Sequence, residues 1–464
     1  MINKSHKEIY ILIFSFLITS IVAKFYLNKF DNFNSYQNGN HPMIKSSVGN
    51  HWSEANVIIE DYKKGKSFIQ SGSYSEDEFL PPKLLAIYHL LTNQEMYSDN
   101  KINVSNGKLY YLIIKNFLYF FLIFIFFRVY QNLIHNKIIY WLIIYLAFLP
   151  DIIQYLPSYW NESWTIIFQI LLLIILFKIN FGLRYNFLLG ILSACLFLTG
   201  QEYLLYPIIF LIYYFFLKIF YKIKIFKIFL RFILGYSLIL FGSYFVSSFK
   251  SKNQNENFYG MKSALYIYVV PNIIIEKKKI SYEEARKSMK NEALNWAKKE
   301  GINFKKVNDS TLLLNIERDD YLSIKKYNNY IFGYSIKKIF FNFHYGLKYF
   351  LKKIPHMLVL NPFFVHNFYE YESVANFLSS EKHQSNIKIR LVYSFIFYLF
   401  LLYGFFRSLK IYKPEFIFLL VLLVLYNLFV LGFLGTPRYF TPSLVYMGFF
   451  FAAIVKQKKS INLT

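Results

Sequence analysis

Residues 109–127 read LYYLIIKNFLYFFLIFIFF, and Arg128 follows at once. A run this long and apolar matches the ~20 residues that a helix needs to cross the ~30 Å hydrocarbon core of a bilayer. Further apolar runs fall at roughly 9–26, 138–150, 163–177, 186–200, 203–217, 229–248, 389–406, 416–434 and 439–455. The expected fold class is therefore all-α, a polytopic transmembrane helical protein of about 10–11 spans. Several runs are short for a full crossing. Tilt, re-entry or interfacial aromatic residues can complete such segments.

Lysine and arginine on short loops set the orientation of a polytopic chain. Here they occupy nearly every turn on one side: Lys4 and Lys7; Arg128 and Lys137; Lys178 and Arg184; Lys218, Lys222, Lys224, Lys227 and Arg231; Arg407, Lys410 and Lys413; Lys456, Lys458 and Lys459. Of the 27 acidic residues, only Glu8 and Glu415 share that side. Both termini are then cytoplasmic. The chain divides into an N-terminal transmembrane helix at 1–27, an outer loop with amphipathic helices at 28–108, and a transmembrane bundle at 109–248. An outer-face region with amphipathic and interfacial helices follows at 249–388, and C-terminal transmembrane helices occupy 389–464. The implied location is a multi-pass cell membrane, the inner membrane of a bacterium, with any active site facing the periplasm or exterior.

A net charge of +25 would suggest nucleic-acid binding in a soluble protein. Here the basic residues are split between topology signals and outer loops, so no nucleic-acid partner is expected; the lipid bilayer is. The single cysteine, Cys195, lies inside an apolar run and excludes disulfides within one chain.

Both outer regions carry helix signals. In the first, Trp52, Ala55, Val57 or Ile58, and Ile59 fit one helical face, and Pro81–Pro82 set up a short amphipathic helix over Lys83–Leu91. In the second, Ser281 and Glu284 have capping-box spacing. Ala285, Met289, Ala293, Trp296 and Ala297 then line one face, and Gly301 suits the C-terminal stop. Further on, Ile336, Phe340, Phe343, Leu347, Phe350 and Ile354 recur at helical spacing among lysines. Two readings stand for that stretch: a helix lying flat at the headgroups, or an eleventh span.

Ionisable residues at span ends are costly in a membrane protein and point to function. Four acidic islands fall on the outer side. The first, at 50–61, holds His51, Glu54, Glu60 and Asp61, with Glu54 beside a face expected to be buried. A carboxylate there is either a solvated helix residue, a base for an acceptor hydroxyl, or a ligand for a divalent cation. Glu76, Asp77 and Glu78 form the second, a solvated turn or an acceptor-side contact. In the third, Asp151 and Glu162 bracket a hinge shaped by Pro150, Pro157, Tyr159 and Trp160. In the fourth, Gln201 and Glu202 form an abrupt turn. Arg438, in GTPRYFTPS, is the one basic residue on a short outer turn, and Tyr439 follows it. Its planar fork suits phosphate oxygens, and a snorkelling arginine at the headgroups is the other reading.

Taken in order, these pieces resemble the polytopic GT-C glycosyltransferases, which include bacterial aminoarabinose transferases and protein O-mannosyltransferases. The likeness rests on HWSEANVIIEDYKKG followed by FLPP, on Pro150 to Glu162 in FLPDIIQYLPSYWNES, and on RYFTPSLVYMGFF. The segment ALNWAKKEG to LKKIPHMLVLNP also looks similar. Where that family places an aspartate before the loop helix, this chain has Gly49–Asn50–His51, and Glu54 is the nearest acid.

The resemblance implies a polyprenyl-phosphate-linked sugar as donor and a lipid, glycan or protein as acceptor. It also implies Glu54 as catalytic base, with Asp151, Glu162, Glu202, Arg438 and Tyr439 in substrate binding. Some members use a divalent metal ion (Mg or Mn), although no ligand cluster in this sequence demands one. A polysaccharide polymerase or ligase, a lipid-linked oligosaccharide flippase, and an assembly scaffold are the competing classes.

Overall fold

The break at Leu149–Pro150 organises the molecule, because it stops one helix halfway through a bundle whose other members continue. The computed structural model describes residues 6–31, 48–68, 71, 80–92, 106–131, 136–153, 156, 161–176, 183–200, 203–222, 225–248, 265–304, 306–307, 314–316, 321–360, 381–432 and 437–455. The bundle contains α1 (His6–Asp31), α4 (Asn106–Tyr130), α5 (Asn136–Phe148), α6 (Pro150–Ile153), α7 (Asn161–Leu176), α8 (Leu183–Thr199), α9 (Tyr206–Tyr221) and α10 (Ile225–Ser248). It is completed by α15 (Glu381–Ser408), α16 (Pro414–Gly432), a 3-10 helix (Pro437–Ser443) and α17 (Leu444–Ala452).

Hydrogen bonds define the two ends of this bundle. At the end bearing the basic turns, Tyr130 donates to the Ile174 carbonyl, and Tyr221 Oη lies 2.5 Å from Glu415 Oε2. At the other end, which we call the loop end, Lys115 Nζ meets Ser163 Oγ at 2.9 Å and Leu205 N–H donates to Tyr426 Oη at 3.2 Å. The two acids that break the charge asymmetry are both buried side chains. Glu415 is held by Tyr221, and Glu8 lies against Tyr140.

Helices α8 and α10 cross with their backbones in contact. A Cβ on Gly190 would fall 2.1 Å from the Phe232 carbonyl oxygen, and one on Gly235 would fall equally close to that of Phe187. Small residues of this kind let helix backbones touch where side-chain packing alone holds them together.

Two helical units sit at the loop end. In the first, α2 (Val48–Lys63) packs on α3 (Leu80–Thr92), and both are sealed to the bundle through Ala55, Ile58, Leu85, Ala86, Tyr111 and Leu112. The second begins with a π-helical turn (Leu265–Val269) and continues through α11 (Val270–Lys278), α12 (Tyr282–Lys299), α13 (Tyr321–Phe341) and α14 (Phe343–Met357). Between α12 and α13 the strands Lys306–Val307 and Leu314–Asn315 make a two-residue antiparallel ladder, pairing Lys306 with Asn315 and Val307 with Leu314. The described chain is otherwise helical, in line with the expected class.

Two expectations change. Among the described residues, two helices are long and apolar enough to cross a membrane, Tyr110–Tyr130 and Ile387–Ser408. The other apolar helices, such as Lys137–Phe148 and Ser163–Leu176, are shorter. At 1.5 Å per residue they reach only ~18–24 Å. The stretch from Ile336 to Ile354 is not one helix either. It breaks at Asn342, whose Oδ1 accepts from Lys277 at 2.8 Å and whose Nδ2 donates to the Lys338 carbonyl at 2.8 Å. Along it the side chains of Asn342 and Phe350 are buried, while Ile336, Phe340, Phe343 and Leu347 stay exposed.

Candidate active site

Proline cannot donate a backbone hydrogen bond, so Pro150 is tolerated at the start of α6 and helps to end α5 just before it. The consequence is depth. Tyr119, ~20 Å along α4 from its start, donates to the Leu146 carbonyl at 2.8 Å. Ser15, in the middle of α1, bonds the Ala147 carbonyl. Asp151 follows within five residues of those contacts, inside the bundle. It is buried, and Tyr145, Tyr393 and Tyr398 stand close enough to sense its charge. Tyr145 in turn donates to the Leu444 carbonyl at 2.9 Å, tying α5 to the start of α17.

The 3-10 helix that carries Arg438 and Tyr439 packs against both α6 and α7. Glu162 lies in the first turn of α7, next to Ser163. Glu54 lies in α2, one position before the buried Ala55. Trp164 of α7 packs against the apolar cluster that α2 shares with α3, Tyr111 and Leu112, and its Nε1 donates to Tyr111 Oη at 3.2 Å. The elements bearing Asp151, Arg438 and Tyr439 thus pack together with the helix that bears Glu162, while the helix bearing Glu54 is joined to that helix through the shared apolar cluster around Tyr111. Glu202 lies outside the described residues, as do Glu76, Asp77 and Glu78.

Two cations here escape sequence reasoning. Lys115 is buried one layer beneath the α2–α3 cap, with its Nζ on Ser163 Oγ and 5.9 Å from the centre of the Tyr111 ring. Lys83 is also buried. Its ammonium donates to the carbonyls of Phe68 (3.1 Å) and Ser71 (3.2 Å), clasping the connection between α2 and α3. Lys115 had a usable signal, since a lysine inside an apolar run is a functional hypothesis in itself. Arg390 joins them on α15, one turn before Ser394, with its Nε buried.

Chemically, the neighbourhood offers a buried carboxylate, three phenols, a buried ammonium and an arginine-bearing turn. That inventory suits proton transfer beside a departing anion. Among the described residues no three His, Cys, Asp or Glu side chains gather to hold a metal ion. Outside the bundle, burial raises the Tyr88 phenol, which stays neutral in the cap. Compared with family models, curated proteins and solved structures, the chain matches none.

Proposed function

We propose that this protein is a polytopic membrane glycosyltransferase of the GT-C kind. It moves a sugar from a polyprenyl-phosphate-linked donor to a lipid, glycan or protein acceptor at the outer face of a bacterial inner membrane. The observation that carries the reading is that the Arg438 turn packs on both α6 and α7, beside a helix that stops halfway through the bundle.

Membrane residence is supported by the bundle's exterior. Phe117, Phe121, Ile219, Leu238, Phe395 and Leu399 are all exposed there, more large apolar side chains than the surface of a water-facing helix bundle ordinarily carries. Short helices fit this reading where a bundle is indented at its loop end, because a substrate can enter without crossing the full bilayer.

In the proposed reaction the acceptor hydroxyl loses its proton to Glu54 as its oxygen bonds the anomeric carbon. The bond from that carbon to the phosphate oxygen breaks in the same step, and the electron pair leaves on polyprenyl phosphate. Arg438 receives the charge that develops on the phosphate. Stabilising such a developing anion is commonly the largest single contribution to rate.

The test is transfer from polyprenyl-phosphate-linked sugars by protein in nanodiscs, with donor binding measured separately. Glu54→Gln keeps shape and removes the base, so transfer should fall ~100- to 10,000-fold with donor binding retained. Arg438→Lys keeps charge and loses the fork, weakening donor handling more than acceptor binding. Wild-type transfer in Glu54→Gln moves the base to Asp151. Wild-type behaviour in both variants rejects the reading. A flippase is the second reading, favoured by the mid-depth break at Pro150, since transporters build sites at interrupted helices. Translocation of labelled donor without transfer would select it.

A further inference from the structure

The elbow between α13 and α14 leaves apolar side chains where a water-facing unit would hide them. Phe340, Phe341 and Phe343 are 76%, 70% and 63% exposed, and they flank Asn342, at which the helix breaks. From there Phe343, Leu347 and Leu351 continue along one face of α14 at four-residue spacing, all exposed. His344, Lys348 and Lys352 form an exposed row one position further round. The adjoining face of α14 is taken. A Cβ on Gly346 would already touch Ile273 of α11 at 3.4 Å, and Phe350 is buried against Phe429 of α16, with ring centres 4.9 Å apart. The bend itself is fixed, since Asn342 is held by Lys277 and by the Lys338 carbonyl.

What covers this face follows from its surroundings. Residues 321–357 carry seven lysines and no acid, so α13 and α14 themselves favour an anionic partner. Glu292 and Glu276, from neighbouring helices, answer Lys338 and Lys352, and the surface stays cationic around them. The face is also continuous with the exterior of the bundle. Phe429, on which Phe350 stacks, is itself 48% exposed on α16, and Leu425 is exposed one turn before it. An apolar stripe edged by lysines is the build of a helix in the headgroup layer, its apolar side chains sunk ~5–10 Å and its ammonium groups drawn back toward the phosphates. A second protein fits less well, because lysine is depleted from protein interfaces.

We infer that the α13–α14 elbow is a membrane anchor. Phe340, Phe341, Phe343, Leu347 and Leu351 enter the lipid leaflet at the loop end of the bundle, and the lysines beside them bind anionic headgroups. The stretch is then neither an eleventh span nor one helix lying flat. The anchor rests on the membrane residence proposed for the bundle and on no part of the transfer chemistry. It nonetheless bears on the site. Helix α14 packs against the 3-10 helix that carries Arg438, so an anchored α14 holds that turn near the level of lipid phosphates.

The experiment uses the full chain with Cys195→Ser, carrying one nitroxide at a time at Phe343→Cys, Leu347→Cys, Lys287→Cys or Phe395→Cys. The protein sits in nanodiscs of phosphatidylcholine with or without phosphatidylglycerol, and thermal unfolding verifies that each variant folds. Oxygen, which concentrates in lipid, and a water-soluble nickel chelate serve as relaxing agents. Positions 343 and 347 should relax mainly with oxygen, at a depth of ~5–10 Å. Position 395, exposed on the bundle, should do the same, and position 287, exposed on α12, should relax mainly with nickel. Immersion at 343 should become shallower without phosphatidylglycerol, and likewise in the double variant Lys337→Glu, Lys348→Glu. Nickel dominance at 343 and 347 with oxygen dominance at 395 overturns the anchor and leaves membrane residence standing. Weak relaxation by both agents at 343 means that protein covers the face, and it overturns the anchor too. A depth at 343 indifferent to phosphatidylglycerol and to the lysines overturns the binding of anionic headgroups. Nickel dominance at 395 as well overturns the anchor and membrane residence together.

Discussion

The bundle and the unit formed by residues 265–358 bury opposite things. In the outer unit, Ala285, Met289, Ala293 and Ala297 are inside, and charged residues of α12 such as Lys287 and Lys290 face outward. Its helix ends are closed by ordinary means: the Glu284 N–H donates to Ser281 Oγ at 3.1 Å, and the Ser281 N–H donates to Glu284 Oε2 at 2.8 Å. In the bundle, leucine and phenylalanine coat the outside while Lys115, Asn116, Asp151, Gln169 and Asn427 are inside. Helix α12 of the outer unit thus has the pattern of a helix facing water, whereas Phe340, Phe341 and Phe343 of the same unit are exposed where α13 meets α14. The bundle has the pattern that the proposed membrane setting calls for, apolar outside and with polar groups at its centre.

Paired substitutions can break that contrast. Gly190→Ala should have the largest effect, because its methyl group lands on the Phe232 carbonyl oxygen, and helix backbones cannot yield as side chains do. A loss of about 3 kcal/mol or more is expected, seen as failure of the bundle to accumulate in membranes. Its counterpart in the outer unit, Gly333→Ala, meets open space within α13 and should gain about 0.5–1 kcal/mol.

Charge gives the second pair. Leu399 is exposed near the centre of the helix Ile387–Ser408. Leu399→Lys should cost about 2.5–3.5 kcal/mol in membrane insertion, measured as the inserted fraction of a reporter fusion. Leu322→Lys, at a more exposed position of α13, should stay within about 0.5 kcal/mol of wild type in thermal unfolding. Equal tolerance at both sites would mean that the two regions share one solvent.

Smaller effects sharpen the description of the outer unit. Ser281→Ala removes the cap of α12 and should cost about 1 kcal/mol in chemical denaturation. Glu276 supplies a pH signature. Its hydrogen bond from Lys352, with a second from Lys279, holds the carboxyl below the usual carboxylate range. A depressed folded-state pKa contributes stability that is fully present above the unfolded value, ~4.3, and is lost as pH falls through the folded one. Glu276→Gln should therefore flatten the acid limb of the unfolding profile and leave the neutral limb lower but parallel.

The same contrast governs how much the sequence reveals. The helix over 282–299 is legible, because its cap, its apolar spacing and Gly301, at φ +65°, are all local signals. The outer loop helices α2 and α3 are legible for the same reason. The break at Asn342 is not, since it depends on Lys277 reaching across from α11 to the Asn342 side chain. In the candidate site, Pro150 announces a helix end but not its depth, which Ser15 and Tyr119 fix from other helices. Lys115 hides inside an apolar run whose averaged hydropathy dilutes it.

Everything proposed for the site depends on the bundle lying in a membrane with its loop end outward. Single cysteines in a Cys195→Ser background, probed with a membrane-impermeant maleimide in cells with an intact plasma membrane, test this most directly. Glu300→Cys should label at once, and Lys222→Cys only after permeabilisation. Labelling of the Lys222→Cys protein but not the Glu300→Cys protein would turn the molecule over, and equal labelling of both in intact cells would contradict membrane residence itself.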